Sequence, residues 1–235
     1  MPNLILWPIA QAATEGFSLD FSRIVPSIPF ILGGIGATLQ FTALSALLGF
    51  IWGTILSLFK IAGWKPLKLF ADFYTSVFRG TPLLLQLALV YYASPQLTGY
   101  TISALEAGVV TFALNSAAYT SETIRGGILA VDRGQSEAAK SLGIPYKLMM
   151  GDVILPQAFK NILPALVNES IALLKDSSLV STVGVLDLMR RGQVVAAEKF
   201  VYFEPLIFIG LIYYILVMGL SWIGKTLEVR LRKSD

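Results

Sequence analysis

The 235-residue sequence contains no cysteine and no histidine. Those absences exclude a disulfide scaffold, thiolate and imidazole metal sites, and any Ser–His or Cys–His nucleophilic pair. No metal site is expected. Charge is scarce as well: 14% of residues are Asp, Glu, Lys or Arg, against about 25% in an ordinary soluble domain. A water-soluble protein covers its exterior with polar groups, and this chain has too few to do so. Apolar residues fill the gap, at 55% of the chain and a mean hydropathy of +0.69. The composition predicts an all-α integral membrane protein, because several apolar runs approach the ~20 residues that a helix needs to cross the hydrocarbon layer. No basic stretch precedes the short apolar run at 4–10, which argues against a cleaved signal peptide.

Five apolar segments stand out, at about 30–59, 81–93, 105–124, 162–185 and 205–223. They predict five transmembrane helices in a single domain covering 1–235, with a half-apolar stretch at 66–78 ahead of the second span. If the N-terminus lies outside, the cytoplasmic segments hold 13 of the 18 Lys and Arg residues, from Lys60, Lys65 and Lys68 to Arg232 and Lys233. The opposite orientation would break the positive-inside bias, so the N-terminus is expected outside and the C-terminus in the cytoplasm. Gly49 and Gly53 form a GxxxG in the first span. Small residues there allow close backbone approach, either within one subunit or between two.

The connection between the third and fourth spans, at about 131–156, is too polar to cross a membrane and too patterned to be a plain linker. Asp132, Ser136 and Glu137 suit a first helical turn, where negative charge complements the helix dipole. Ala138, Ala139 and Leu142 give a small apolar face, Gly143 suits a left-handed stop, and Pro145 can begin a second helix. The pattern predicts helix, turn and helix at the cytoplasmic surface. Its residues Glu137-Ala138-Ala139, Gly143 and Val153-Ile154-Leu155-Pro156 resemble the EAA loop of ABC importer membrane subunits, with Val153 where that family has Ile. The segments Arg79-Gly80-Thr81-Pro82, Ala118 to Gly127, and Asn168-Glu169 followed by Leu174 to Leu179 resemble the polar amino-acid permeases of that group.

The resemblance spans roughly 34–230 and implies a type I ABC importer permease fold in the cell inner membrane, multi-pass and surrounded by lipid. It implies an importer for polar amino acids, basic ones (arginine, lysine or histidine) foremost, with a glutamine or glutamate importer or a non-transporting membrane scaffold as alternatives. It implies three partners: an ABC ATPase subunit, an extracytoplasmic amino-acid-binding protein, and a second permease subunit in a homodimer or heterodimer. No nucleic acid is expected. Glu137, Ala138, Ala139 and Gly143 become the ATPase-coupling residues. ATP is expected to be bound and hydrolysed by the partner, so this chain is read as no enzyme and as holding no cofactor.

Gly219 to Thr226 matches the phosphate-loop pattern G-x-x-x-x-G-K-T. A true phosphate loop follows a short buried strand. Here the preceding run, 205–218, is apolar and continues through Trp222 and Ile223, which reads as the end of a membrane helix with Lys225 as its cytoplasmic flank.

Charge inside a span costs about 2.5–3.5 kcal/mol at the helix centre, so intramembrane ionisable residues are functional candidates. Glu169 and Asp176 are seven apart on the fourth span and share a face to within about 20°. Two carboxylates there suit the α-ammonium or a basic side chain of a cargo, or else pair with Lys175 or a neighbouring helix. Asn168 and Ser170 flank that face. Asn115 and Tyr119, i and i+4 on the third span, offer neutral hydrogen bonds either to cargo or to another helix. Glu122 and Arg125, at i and i+3, are expected to pair. Pro164 deprives the Lys160 carbonyl of its helical partner, which suits a kink.

Overall fold

The computed structural model describes residues 19–232. The stretch at 4–10, with the signal-peptide reading made on it, and Lys233 lie outside the described residues. Among the described residues every regular element is helical, as the composition predicted.

A short turn (Ile28–Leu32) leads into α1 (Gly34–Ile61). Then α2 (Lys65–Gly80) and α3 (Leu83–Ala88) follow, and α3 continues through a π-helical turn and a last helical turn to Gly99, whose φ of 72° ends it. Helix α4 (Ala104–Leu129) starts from a capping box in which Ser103 accepts from the Glu106 N–H and Glu106 accepts from the Ser103 N–H. Helix α5 (Arg133–Ser141) lies in the polar connection, and α6 (Leu155–Asp176) runs unbroken through Pro164. Helices α7 (Leu188–Lys199) and α8 (Phe203–Arg232) complete the chain.

Helices α1 and α4 pack closely at the GxxxG. A Cβ on Gly49 would stand 2.8 Å from Ser116 Cβ, and one on Gly53 2.8 Å from the Ala117 carbonyl oxygen. The motif therefore serves packing inside one subunit. Two stretches, Phe21–Ile61 and Phe203–Arg230, are long and apolar enough to cross a membrane on length and composition alone. Helices α4 and α6, with 26 and 22 residues, are long enough at ~1.5 Å per residue, but polar residues on their inner faces dilute their hydropathy. Leu47, Leu58, Leu211, Ile215 and Trp222 stand exposed on the outer surface, an apolar coat that lipid suits and water does not.

Helix α7 falls where the sequence suggested only an outer connection. Leu188, Gly192, Val195 and Ala196 are buried on one face, and Leu188 and Val195 join Ile24, Ile31, Ile209 and Ile212 in a core between α1 and α8. Asp187 caps α7 by accepting from the Arg190 N–H at 2.8 Å and receives the Tyr213 hydroxyl at 3.4 Å. The Leu188 N–H donates to Thr38 on α1 at 3.0 Å. A Cβ on Gly34 would meet Leu188 Cα at 2.6 Å, so only glycine permits this approach.

Candidate functional site: a polar cavity and a polar connecting loop

The break between α2 and α3 begins the site. Pro82 pushes Thr81 into extended backbone (φ −122°, ψ 147°), which leaves carbonyl groups at the end of α2 without helical partners. Two side-chain amides take them. Gln86 donates to the Phe78 carbonyl at 2.9 Å and to the Thr81 carbonyl and hydroxyl at 3.1 and 2.8 Å. Asn115 donates to the Phe78 carbonyl at 3.1 Å and to Gln86 Oε1 at 3.0 Å. Arg79 places its guanidinium 5.3 Å from the Tyr119 ring centroid, a cation–π contact.

Beside this break lies a cavity of about 270 Å³ lined by Thr81, Asn115, Tyr119, Glu169 and Asp176, with Leu83, Phe112, Ala172 and Leu173 among its other walls. Four of the six cargo candidates therefore meet in one space. Asn168 and Ser170 do not join them. Asn168 lines a separate cleft with Ser221 and Lys225 of α8. Ser170 donates to the Leu166 carbonyl at 2.9 Å and faces an apolar cavity between α1, α6 and α8. One residue of an α-helix turns about 100°, so the two neighbours of Glu169 project to either side of it, although Ser170 shares with Glu169 a second cleft walled by Phe50, Ser116 and Thr120.

The polar connection folds as helix, turn and helix. Asp132 caps α5, accepting from the Gly134 N–H at 2.6 Å. The helix ends as a Schellman turn: the Ile144 N–H donates to the Ala139 carbonyl and the Gly143 N–H to the Lys140 carbonyl, each at 3.0 Å, with Gly143 at φ 72°. Ala139 is buried with Ile124, Val131, Met149, Ile154, Ala158 and Ile162, which seats the loop on the ends of α4 and α6. Glu137 and Ala138 face outward, and Leu142 is 78% exposed. Of the expected apolar face, only Ala139 packs inward.

Gly219 to Thr226 is helical throughout, within α8, and Thr226 donates to the Trp222 carbonyl at 2.8 Å. Its backbone amides are spent within the helix, so no phosphate cradle forms.

Residues 49–233 match the family of binding-protein-dependent transport system inner membrane components. The chain belongs to that family. This permease is 55% identical to the arginine transport system permease protein ArtQ of Bacillus subtilis, over 93% of its own length and all of the relative's. It is 50% identical to a putative glutamine transport system permease protein GlnP of Rickettsia bellii, covering 89% of its own chain and 96% of that one. Among solved structures it matches a crystal structure of an amino acid ABC transporter with histidines at a TM-score of 0.87 and 43% identity, over 91% of this permease and all of that chain. The type I ABC permease fold thus accounts for the helices described above.

The sequence did not single out Gln86 or Arg79 as site residues, although both stand beside the RGTP break. Their signal was the proline itself, since an interrupted helix inside a membrane needs side chains to satisfy its freed carbonyls.

Proposed function

We propose that this permease subunit carries polar amino acids, basic ones foremost, through the inner membrane on energy supplied by a partner ATPase. One observation carries the cargo assignment: the Glu169 and Asp176 carboxylates face one cavity opposite the neutral donors of Thr81 and Tyr119. Two acceptors that can be negative in a low-dielectric site favour a ligand with two cationic groups, such as arginine or lysine. The α-ammonium of glutamine uses the same acceptors with less electrostatic gain, which makes a glutamine or glutamate importer the second reading; the Rickettsia relative's name keeps it in view.

The ATPase docks on the outward face of α5, where Glu137 and Ala138 are exposed and Gly143 ends the helix abruptly. Ala139 anchors that helix to α4 and α6, so nucleotide-driven motion of α5 enters the spans and alternates access to the cavity. An extracytoplasmic binding protein delivers cargo, and a second permease subunit completes the pathway. In this reading the N-terminus lies outside and the C-terminus in the cytoplasm, which the positive-inside bias of the basic residues supports. ATP chemistry belongs to the partner, and this chain performs none and holds no cofactor.

The test is cargo-stimulated ATP hydrolysis and uptake by the reconstituted permease, ATPase and binding protein across an amino-acid panel. Arginine, lysine or histidine should stimulate most. Stimulation by glutamine or glutamate alone would transfer the assignment to the second reading. ATPase binding without uptake of any amino acid would indicate a scaffold.

A further inference from the structure

Lys60 ends the apolar part of α1, yet its side chain is only 2% exposed. Its ammonium donates to Thr75 Oγ1 on α2 at 2.8 Å, lies 3.3 Å from Asp72 Oδ1 on α2, and pairs with Glu122 Oε1 on α4. The second oxygen of Glu122 accepts from Arg125 Nε at 3.1 Å and Nη2 at 2.9 Å. An ammonium has three donors, and here they meet partners on two other helices. The four charges sum to zero, and three helices converge on one buried nitrogen.

The cluster stands between the two functional regions. Toward the cytoplasm, α4 continues from Glu122 to Ile124, which shares a core with Val131 and Ala139 of the coupling loop. Toward the cavity, α4 carries Tyr119 and Asn115, and α2 carries Phe78 and Arg79 just beyond Thr75. Helix α2 is tied to α4 again there, by Asn115 on the Phe78 carbonyl and by Tyr74, which donates to the Leu114 carbonyl at 2.7 Å.

We infer that Lys60 is a positioning residue that joins α1, α2 and α4 into one lever, through which displacement of α5 reaches the cavity wall at the α2–α3 break. The inference rests on the permease reading above. A push on α5 moves the end of α4 through the shared Ala139–Ile124 core. Helix α2 makes its cytoplasmic-level polar attachment to α4 through the Lys60 ammonium, so its lower half follows α4 in full only while that ammonium is paired; the bonds from Asn115 and Tyr74 hold the upper half. Without it, α4 moves and the lower half of α2 lags, and ATP is spent with little reorientation of the cavity.

The experiment uses the full complex with its ATPase and binding protein, comparing wild type, Lys60→Met, Lys60→Arg and Glu122→Gln. Uptake per ATP hydrolysed is one readout; hydrogen exchange of α2 and α5 amides with and without ATP plus vanadate is the other. In wild type, nucleotide should alter exchange in both helices. In Lys60→Met it should alter α5 alone, and uptake per ATP should fall about fivefold or more, the low end of ordinary coupling between sites. Lys60→Arg should retain most of the ratio. Glu122→Gln, which leaves Thr75 and Asp72 on the ammonium, should show the same direction with smaller size and serves if Lys60→Met does not assemble. A nucleotide effect on α2 that persists in both neutralised variants, or uptake and hydrolysis falling in proportion, overturns the lever. Wild type that imports no amino acid while nucleotide still reaches α2 through Lys60 overturns the cargo reading and supports the lever.

Discussion

Asn115 Nδ2 lies 3.0 Å from Gln86 Oε1, joining α4 to α3 across the helix break that forms one wall of the polar cavity. The same amide group also holds the Phe78 carbonyl, so Asn115 is as much a part of the wall's construction as of its lining. Asn115→Ala should therefore act on cargo handling and on stability together. The Phe78 carbonyl keeps its bond from Gln86, but the buried Gln86 Oε1 loses the donor it takes from Asn115, at a cost of about 1–3 kcal/mol that a thermal melt of the purified permease should register alongside lower uptake. Asn115→Asp keeps the acceptor but loses the donor, and should melt no higher than the alanine variant.

Glu169→Gln should raise the half-saturating concentration for a basic amino acid about tenfold, since a hydrogen bond to a charged group contributes about 1.5–3 kcal/mol. A neutral cargo should suffer less. Equal loss for arginine and glutamine in a proteoliposome uptake assay would remove the preference for basic cargo.

Gly143→Pro should abolish ATP-driven uptake while the protein still reaches the membrane. Proline fixes φ near −65°, against 72° at this position, and it removes the N–H that the Lys140 carbonyl accepts. Glu137→Lys should have the same effect on uptake without the strain, because it changes only the exposed charge of the docking face. Normal uptake by both, measured with membrane quantity controlled, would detach α5 from energy coupling.

Gly53→Leu should destabilise the subunit by about 1–3 kcal/mol, the ordinary cost of overpacking, because the space beyond its Cα is filled by Ala117 and Thr120. The same change at Gly36, where a Cβ meets nothing within 4 Å, should leave the melting temperature almost unmoved. Similar losses at both sites would contradict the α1–α4 contact.

Asp187 gives a pH-dependent prediction. Burial pushes its carboxyl above the ordinary aspartate range, against the opposing pull of the Arg190 and Met189 backbone donors and of Tyr213. An acid whose folded pKa is raised gives its stabilisation below the unfolded value and loses it as pH rises through the folded value. Asp187→Asn keeps the helix cap without the buried charge, so it should melt at or above wild type at pH 7 and lose that advantage in acid. Asp187→Ala loses the cap and should melt lower at both pH values, by about 1 kcal/mol.

The helical architecture and the turn after α5 were readable because their signals are local. Apolar length marks helices such as α1 and α8, while Asp132, Gly143 and Pro145 write the ends of α5 and the start of its successor in adjacent residues. The partners of Asn115 were not readable, since Gln86 and the Phe78 carbonyl lie 29 and 37 residues away. Lys60 looked like an ordinary cytoplasmic flank; only the placement of Asp72 and Glu122 reveals it as buried. Glu122 and Arg125 pair as their spacing suggested, at 2.9 Å, but Lys60 is the third member. Helix α7 did leave a trace, in Leu188, Gly192, Val195 and Ala196 at i, i+4, i+7 and i+8 behind an N-cap aspartate, and its charged outer face outweighed it.

The seam where Leu188 meets Gly34 and Thr38 has a consequence for biogenesis. The notch on α1 is filled by residues synthesised about 150 positions later, so the first span to enter the bilayer cannot finish its own packing until nearly the whole chain has been made. A nascent chain halted after α6 would hold an open groove at the N-terminal end of α1. Its quality control would then hinge on the last two helices, which act as the fastening that tells a complete subunit from a truncated one.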